Sequence, residues 1–118
     1  MKRIEIEVLK PEDALKAFSD TWKKTELGND VIPRLAFGSL RELFSAITEK
    51  RLELLRFIAL NEGYNIRQIS QALNRDYKNI HTDVTELIRL GSLEKNEDGF
   101  LIAPFDEIVI HTTIRDAA

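Results

Sequence analysis

The sequence contains no cysteine, only two histidines and no long apolar run, and each absence excludes a class of protein. Without thiols, neither a disulfide framework nor a thiolate metal site can form. The two histidines lack the His-x-x-x-His spacing of zinc sites, so neither a metal nor another cofactor is expected. No apolar segment approaches the roughly 18 residues of a membrane-spanning helix, which predicts no membrane partner.

The N-terminal residues and the chain length narrow the class further. The sequence begins MKRIEIEVLK, in which charged and apolar side chains alternate. A secretory signal has a continuous apolar region instead, so we expect a cytoplasmic protein. A chain of 118 residues can form one compact domain with a real core but is short for two ordinary domains.

Nothing in the sequence indicates an enzyme. It has no glycine-rich phosphate loop and no recognisable arrangement of serine, histidine and aspartate. Its carboxylates are spread like solvated helix charges rather than paired on apolar ground, as general acid and base catalysis would require. The sequence therefore predicts a binding protein.

Residues 65–91 are the most informative segment, since they read as two short amphipathic helices joined by a tight turn. Asn65 and Gln68 stand at capping-box positions, and Asp76 is expected to cap the second helix. The predicted buried residues are Ile66, Ile69, Ala72 and Leu73 on the first helix and Ile80, Val84 and Leu87 on the second. Tyr77 is expected on the core side. This spacing is typical of a helix-turn-helix, whose second helix enters the DNA major groove.

The polar face of the second helix carries side chains that suit DNA recognition. The base-reading candidates are Lys78, Asn79, Thr82 and Thr85. Contacts to the DNA backbone are expected from Arg67, Gln68, Gln71, Arg75, His81, Arg89 and Lys95. Double-stranded DNA is therefore the predicted partner.

A hairpin is predicted after the second helix. Residues 93–95 and 100–102 resemble two strands, and Asp98-Gly99 between them is a strong hairpin cue. A preceding helix is expected over residues 49–61. Together these elements predict an α+β fold, a winged helix-turn-helix with a three-helix core and a β-hairpin wing.

The sequence before residue 39 predicts an N-terminal strand-helix-strand extension. We expect strands at 4–8 and 31–37, a helix from Pro11 to about Gly28, and a C-terminal strand at 107–114. Residues 1–38 would serve dimerisation or partner binding, and residues 39–118 would form the DNA-binding domain with the C-terminal strand. The dimer or partner candidates are Ile4, Ile6, Val8, Phe18, Trp22, Ile108 and Ile110. The terminal strands can pair within one subunit or between two.

Charge opposes a simple DNA-binding interpretation. The net charge is −3, whereas nucleic-acid modules usually carry a basic excess. Residues 64–92 hold four basic and three acidic side chains, a local net charge of +1. We therefore expect weak binding by a monomer and a homodimer as the active form.

Residues 37–110, above all the run LNRDYKNIHTDVTEL, resemble a family of prokaryotic MarR-like predicted transcriptional regulators. The resemblance implies a winged-helix repressor, and some members resemble antitoxins of type II toxin-antitoxin pairs. The sequence departs from the family at Thr82, where the resemblance implies a basic residue. The alternative is a winged-helix protein-interaction module that neutralises a partner such as a cognate toxin without significant DNA binding.

Overall fold

The computed structural model describes residues 2–9 and 33–115, which form a mixed α+β structure. In this part of the chain there are four helices and five strands. In chain order they are β1 (Arg3–Val8), β2 (Arg34–Phe37), α1 (Leu40–Ala46), α2 (Glu49–Leu60), α3 (Ile66–Leu73), α4 (Tyr77–Arg89), β3 (Glu94–Lys95), β4 (Leu101–Ile102) and β5 (Glu107–His111). The predicted α+β class is thus confirmed.

The described residues divide into two compact units. One contains β1, β2, β5 and most of α1, and the other runs from Ala46 to Asp106. The domain division expected at residue 38 stays a prediction. The predicted helix between Pro11 and Gly28 lies outside the described residues.

A three-stranded parallel sheet joins the two ends of the sequence in the first unit. The strand order is β2-β1-β5, so the terminal strands pair within one chain. Ile4 pairs with Ile108, and Ile6 pairs with both Ile110 and Leu35. Because register partners in a sheet point to the same side, these apolar side chains share one face. The strand predicted at residues 4–8 is confirmed, although Glu5, between the two isoleucines, is buried as well.

The opposite face of the same sheet is ionic. Glu5 is only 7% exposed, yet two guanidinium groups accompany its carboxylate. Arg3 Nε lies 3.4 Å from Glu5 Oε1, and Arg34 Nε lies 3.2 Å from Glu5 Oε2. Burial of a carboxylate is costly unless it is paired, and these arginines supply the pairing.

The second unit is built around one apolar cluster. Its buried members come from α2, α3 and α4 and from the segment that follows them: Leu54, Ile58, Ile66, Ile69, Ile80, Val84, Leu87, Leu93 and Leu101. Helix α4 contributes Ile80, Val84 and Leu87, which recur at helical spacing, as predicted. Burial of this stripe leaves the other side of α4 exposed.

Capping determines where α3 begins. Asn65 Oδ1 accepts a hydrogen bond from Gln68 N at 2.8 Å, and Gln68 Oε1 accepts one from Asn65 N at 2.9 Å. The predicted capping box is therefore confirmed. The turn to α4 is residues 74–76, and it starts with Asn74 in the left-handed conformation at φ 51°.

The predictions for Ala72 and Asp76 on these helices were wrong. Ala72 is exposed, and Ser70 takes the buried place because its hydroxyl is satisfied by donation to Arg67 O at 2.8 Å. Asp76 stands at the N-cap position of α4, but its side chain makes no capping hydrogen bond. Only its carbonyl serves the helix, by accepting from Ile80 N.

The predicted hairpin is present. Strands β3 and β4 pair antiparallel, with Lys95 opposite Leu101. Asn96 Oδ1 accepts hydrogen bonds from Asp98 N and Phe100 N, and Gly99 adopts φ 86°, a conformation that glycine reaches without strain. Leu101 N donates to Tyr64 O at 3.0 Å, which holds the hairpin against the loop before α3.

None of the helices in residues 2–9 and 33–115 is both long enough and apolar enough to cross a membrane.

The two caps predict different mutational costs. Replacement Asn65→Ala should lower the free energy of unfolding by about 1 kcal/mol, because the backbone N–H of Gln68 loses the side-chain oxygen that accepts from it. Replacement Asp76→Ala should cost less than half as much, since its side chain caps nothing. Urea denaturation of the two variants measures both. Equal losses would contradict the assignment of the capping box as the dominant end signal.

Candidate functional site

The exposed face of α4 presents a row of polar side chains. Lys78, Asn79, Thr82 and Thr85, the four predicted base-reading residues, are all exposed on this helix. They occupy two turns, or about 10 Å along the axis. An α-helix of this kind fits a groove of about 12 Å width, such as the DNA major groove.

Thr82 is partly engaged by its own helix. Its hydroxyl donates to Lys78 O at 3.0 Å, a bond to the carbonyl four residues earlier. The donor of Thr82 is therefore in use, and its oxygen lone pairs and methyl group are what it offers outward.

An aromatic group lies at the start of α4, contrary to the expectation for Tyr77. This side chain is 46% exposed instead of facing the core. The Arg67 guanidinium lies over its ring at 5.7 Å from the centroid. The ring centroid of His81, four residues later on α4, lies 6.1 Å from that of Tyr77. Stacking of this type keeps a guanidinium in place without neutralising its charge. Arg67 and His81, both predicted to contact the DNA backbone, therefore lie beside the same aromatic ring.

Asp83 connects three elements through two arginines. Its Oδ1 accepts from Arg51 Nε at 3.0 Å, and its Oδ2 accepts from Arg75 Nη2 at 2.9 Å. Arg51 also donates from Nη1 to Ala46 O at 2.8 Å. The side chains of Arg51 and Asp83 are each 15% exposed and that of Arg75 is 22% exposed, so solvent screens the group only in part. The group, hereafter the Asp83 clamp, joins α2, the turn and α4.

The clamp changes the role expected for Arg75. Sequence alone placed Arg75 on the open face as a cation for DNA phosphates, but one of its nitrogens is committed to Asp83. Three of its five N–H donors belong to the other two guanidinium nitrogens. Arg75 is thus both a structural partner and a lining residue of the surface described next.

A cleft of about 360 Å³ lies beside the exposed face of α4. It is lined by Thr48, Lys50, Arg51, Arg75, Asn79, Thr82 and Asp83. Three of these residues are basic and one is acidic, so the lining has a net charge of +2 in a protein of net charge −3. The concave wall and the positive charge suit an anionic group.

Lys50 and Arg51 were missed by sequence reasoning. They belong to the first turns of α2, which was assigned to the core alone. Arg51 is paired with a residue 32 positions later, and no local periodicity reports such a contact. The available cue was Thr48, whose hydroxyl accepts from Arg51 N at 3.2 Å and fixes the start of α2.

Arg89, the last residue of α4, is paired with Glu86. Arg89 Nε donates to Glu86 Oε2 at 3.0 Å, and its Nη2 donates to Glu86 Oε1. Hydrogen bonding from Arg89 holds the pKa of the Glu86 carboxyl below its usual range, and the same bond raises the pKa of Arg89. The positive charge predicted at this end of the face is therefore locally balanced.

The remaining predicted DNA-backbone residues lie on α3 and β3. Gln68 is exposed but uses its carbonyl oxygen in the capping box, and Gln71 is exposed on the same helix. Lys95 is exposed on β3, next to Glu94. Lys95 is not among the residues that line the cleft.

The predicted dimer or partner residues differ in accessibility. Ile4 and Ile6 are 2% and 1% exposed within the single chain, because they form the buried face of β1. Val8 and Ile108 are half-buried, and Ile110 is 44% exposed. Phe18 and Trp22 lie outside the described residues.

Residues 2–9 and 33–115 contain no group of three or more histidine, cysteine, aspartate or glutamate side chains that is arranged to hold a metal ion. The chemistry that this surface offers is hydrogen bonding and positive charge. Its amide, hydroxyl and ammonium groups can donate hydrogen bonds to an extended anion, and its positive charge attracts that anion.

The family model HVO_A0114 matches residues 46–110, a range that includes α2, α3, α4, the hairpin and most of β5. No curated protein and no solved structure matches the chain.

The Asp83 clamp predicts an uneven response to loss of charge. Replacement Asp83→Asn should lower the free energy of unfolding by about 2 kcal/mol, because two partly buried guanidinium groups lose a charged acceptor. The matched replacement Glu86→Gln should have little effect, since its partner Arg89 is 64% exposed and screened by water. Urea denaturation compares the two. A larger loss in Glu86→Gln than in Asp83→Asn would refute the clamp.

Proposed function

The chain belongs to the HVO_A0114 family, and from the surface that lies within the family segment we propose that it is a sequence-specific DNA-binding transcriptional regulator. The proposal includes a winged helix-turn-helix fold, with α2, α3 and α4 as its three helices and β3 and β4 as the wing. It also includes the active form, a homodimer. The single observation that carries it is the exposed polar face of α4 beside a cleft of net positive charge.

In this proposal α4 is the recognition helix. Lys78 and Asn79 are exposed in its first turn, the part of a recognition helix that reaches base edges. Lysine suits guanine O6 and N7, and asparagine suits adenine N6 and N7. Thr82 and Thr85 contribute methyl groups and hydroxyl lone pairs, which suit thymine methyls or phosphates. The MarR-like resemblance implies a basic residue at position 82. Here Lys50 and Arg75, which line the same cleft as Thr82, supply the positive charge instead.

The cleft residues are proposed to contact the DNA backbone. Lys50 and Arg75 supply positive charge next to Asn79, so a phosphate in the cleft would set the register of the neighbouring bases. Arg67, held over the Tyr77 ring, supplies a further cation from α3. Pairing of Arg89 with Glu86 and of Arg75 with Asp83 reduces the field, which accords with an acidic protein that binds weakly as a monomer.

A dimer compensates for this weakness. Two copies related by a twofold axis present two recognition helices to two half-sites, and the contacts to phosphate double. The MarR-like resemblance supports a repressor that acts on its own promoter. Autoregulation of this kind is also consistent with an antitoxin.

Binding should be specific and strongly dependent on salt. Duplex DNA from the region upstream of the gene should bind at low salt, and affinity should fall linearly on a double-logarithmic plot as salt rises. The double variant Lys78→Ala with Asn79→Ala should bind at least about tenfold more weakly, because base contacts are lost. Fluorescence anisotropy measures both effects.

The control for this experiment is Arg56→Ala. It removes one positive charge from α2 at a position that does not line the cleft. Its affinity should stay close to that of the unmodified protein. If the double variant binds as tightly as the control, α4 is not the recognition helix.

A protein-interaction module is the second candidate function. The net charge of −3 favours it, because acidity opposes contact with phosphates. In this alternative the polar face of α4 docks on a partner such as a toxin, and DNA binding is not significant.

Co-expression with the product of the adjacent gene tests the second candidate. The neighbour should be toxic when expressed alone and should copurify with this protein. A variant Lys78→Ala with Asn79→Ala that keeps the neighbour bound would assign the toxin contact to another surface. A neighbour that is neither toxic nor copurified would rule out the antitoxin role.

A further inference from the structure

Strand β5 is an edge of the parallel sheet. The order β2-β1-β5 places it beside β1 on one side only, so in the described sheet its second side has no strand partner. An unpaired edge presents a row of backbone N–H and C=O groups that can pair with another chain. The sheet has three strands, fewer than most sheets contain, and parallel pairs are the less stable kind.

The sequence of β5 is self-complementary about its central residue. It reads Glu107, Ile108, Val109, Ile110, His111. Two identical strands beside a twofold axis must run antiparallel, and each contact then occurs twice. With Val109 on the axis, Glu107 faces His111 of the second copy and Ile108 faces Ile110.

The register continues an alternation of charge across the ionic face of the sheet. Within one chain Arg3 pairs with Glu107, and Glu7 pairs with His111. The central register about Val109 would therefore place Arg3, Glu107, His111 and Glu7 side by side, the last two from the second copy. The nitrogen-bearing side chains of Arg3 and His111 alternate with carboxylates along this row, and hydrogen-bonded or opposite-charge pairs across strands are favourable.

The other face gains an apolar row in the same register. Ile4 and Ile108 are partners, as are Ile6 and Ile110. Placing Ile108 opposite Ile110 of the second copy continues the isoleucine row from one sheet into the next. It also covers Ile110, which is 44% exposed in the single chain.

The second edge of the sheet lacks this property. Strand β2 reads Arg34, Leu35, Ala36, Phe37, and its only charged residue is already within 3.2 Å of Glu5. No antiparallel register of β2 with itself brings opposite charges together. Self-pairing is therefore specified at β5 and not at β2.

We infer that two copies of this chain associate through β5, antiparallel and centred on Val109, to form a continuous six-stranded sheet. This contact supplies the homodimer that the proposed function requires. It is measured without DNA, so failure of the dimer and failure of DNA binding are separate outcomes.

Disulfide trapping tests the register, and the absence of native cysteine makes the assay clean. In the proposed dimer the Cα atoms of the two Val109 residues lie about 4.5–5.5 Å apart, within the range that a disulfide spans. Variant Val109→Cys should thus crosslink under mild oxidation. In variant His111→Cys the two cysteines are four residues out of register, roughly 13 Å apart, and should not crosslink.

Mixing provides the complementary measurement. Variants Glu107→Cys and His111→Cys should each stay uncrosslinked alone and form a disulfide when combined, because these positions face each other. His111 is more exposed than Val109, so random collision would favour the His111→Cys control. Crosslinking of that control as fast as Val109→Cys would overturn the proposed register.

Charge exchange tests the energetics in the unmodified backbone. Variant His111→Glu places like charges opposite each other twice per dimer and should raise the dimer Kd about fivefold or more. Adding Glu107→Lys to it should restore association towards the original value. Sedimentation equilibrium measures Kd, and circular dichroism checks that each variant is folded. A protein that is monomeric throughout, or a double variant that dimerises no better than His111→Glu alone, would overturn the inference.

Discussion

The apolar stripe of α4 is the constraint on which the second unit depends. Ile80, Val84 and Leu87 are at most 1% exposed, and together they face side chains from α2, α3 and the hairpin. A helix that buries one side so completely has its rotation about its own axis fixed. The opposite side must then face outward, whatever residues it carries. The positions of Lys78, Asn79, Thr82 and Thr85 therefore follow from packing beneath them, before any ligand is considered.

The ion pairs of the Asp83 clamp fix the position of α4 more closely than apolar packing alone. Apolar side chains tolerate small rotations, whereas the Asp83 clamp has two hydrogen bonds of 3.0 and 2.9 Å with defined directions. These bonds connect α4 to the start of α2 and to the turn after α3. The same arginines line the cleft, so a group that holds the helix in place also shapes the surface beside it. Stability and surface charge are consequently linked through one carboxylate.

Local sequence predicted the elements and failed at contacts between them. Helix starts were predictable because Asn65 and Gln68 carry their cue within four residues, and the hairpin was predictable from Asp98-Gly99. The pairing of Arg51 with Asp83 joins residues 32 apart, and the parallel pairing of Arg3 with Glu107 joins residues still farther apart. Neither pairing produces a periodic pattern in the sequence. Tyr77 was misplaced for the same reason, since its partner Arg67 lies on a different helix.

The sheet also bears on the order of events during synthesis. Strand β1 leaves the ribosome before its partner β5, which begins at Glu107 after every helix described. Until then a β-rich segment with Ile4 and Ile6 has at least one open edge, and such segments are prone to aggregate. Charged residues beside apolar strand residues oppose such aggregation, and Arg3, Glu5 and Glu7 alternate with the isoleucines here. The same charges that pair within the folded sheet therefore also lower the tendency of the unpaired strand to aggregate.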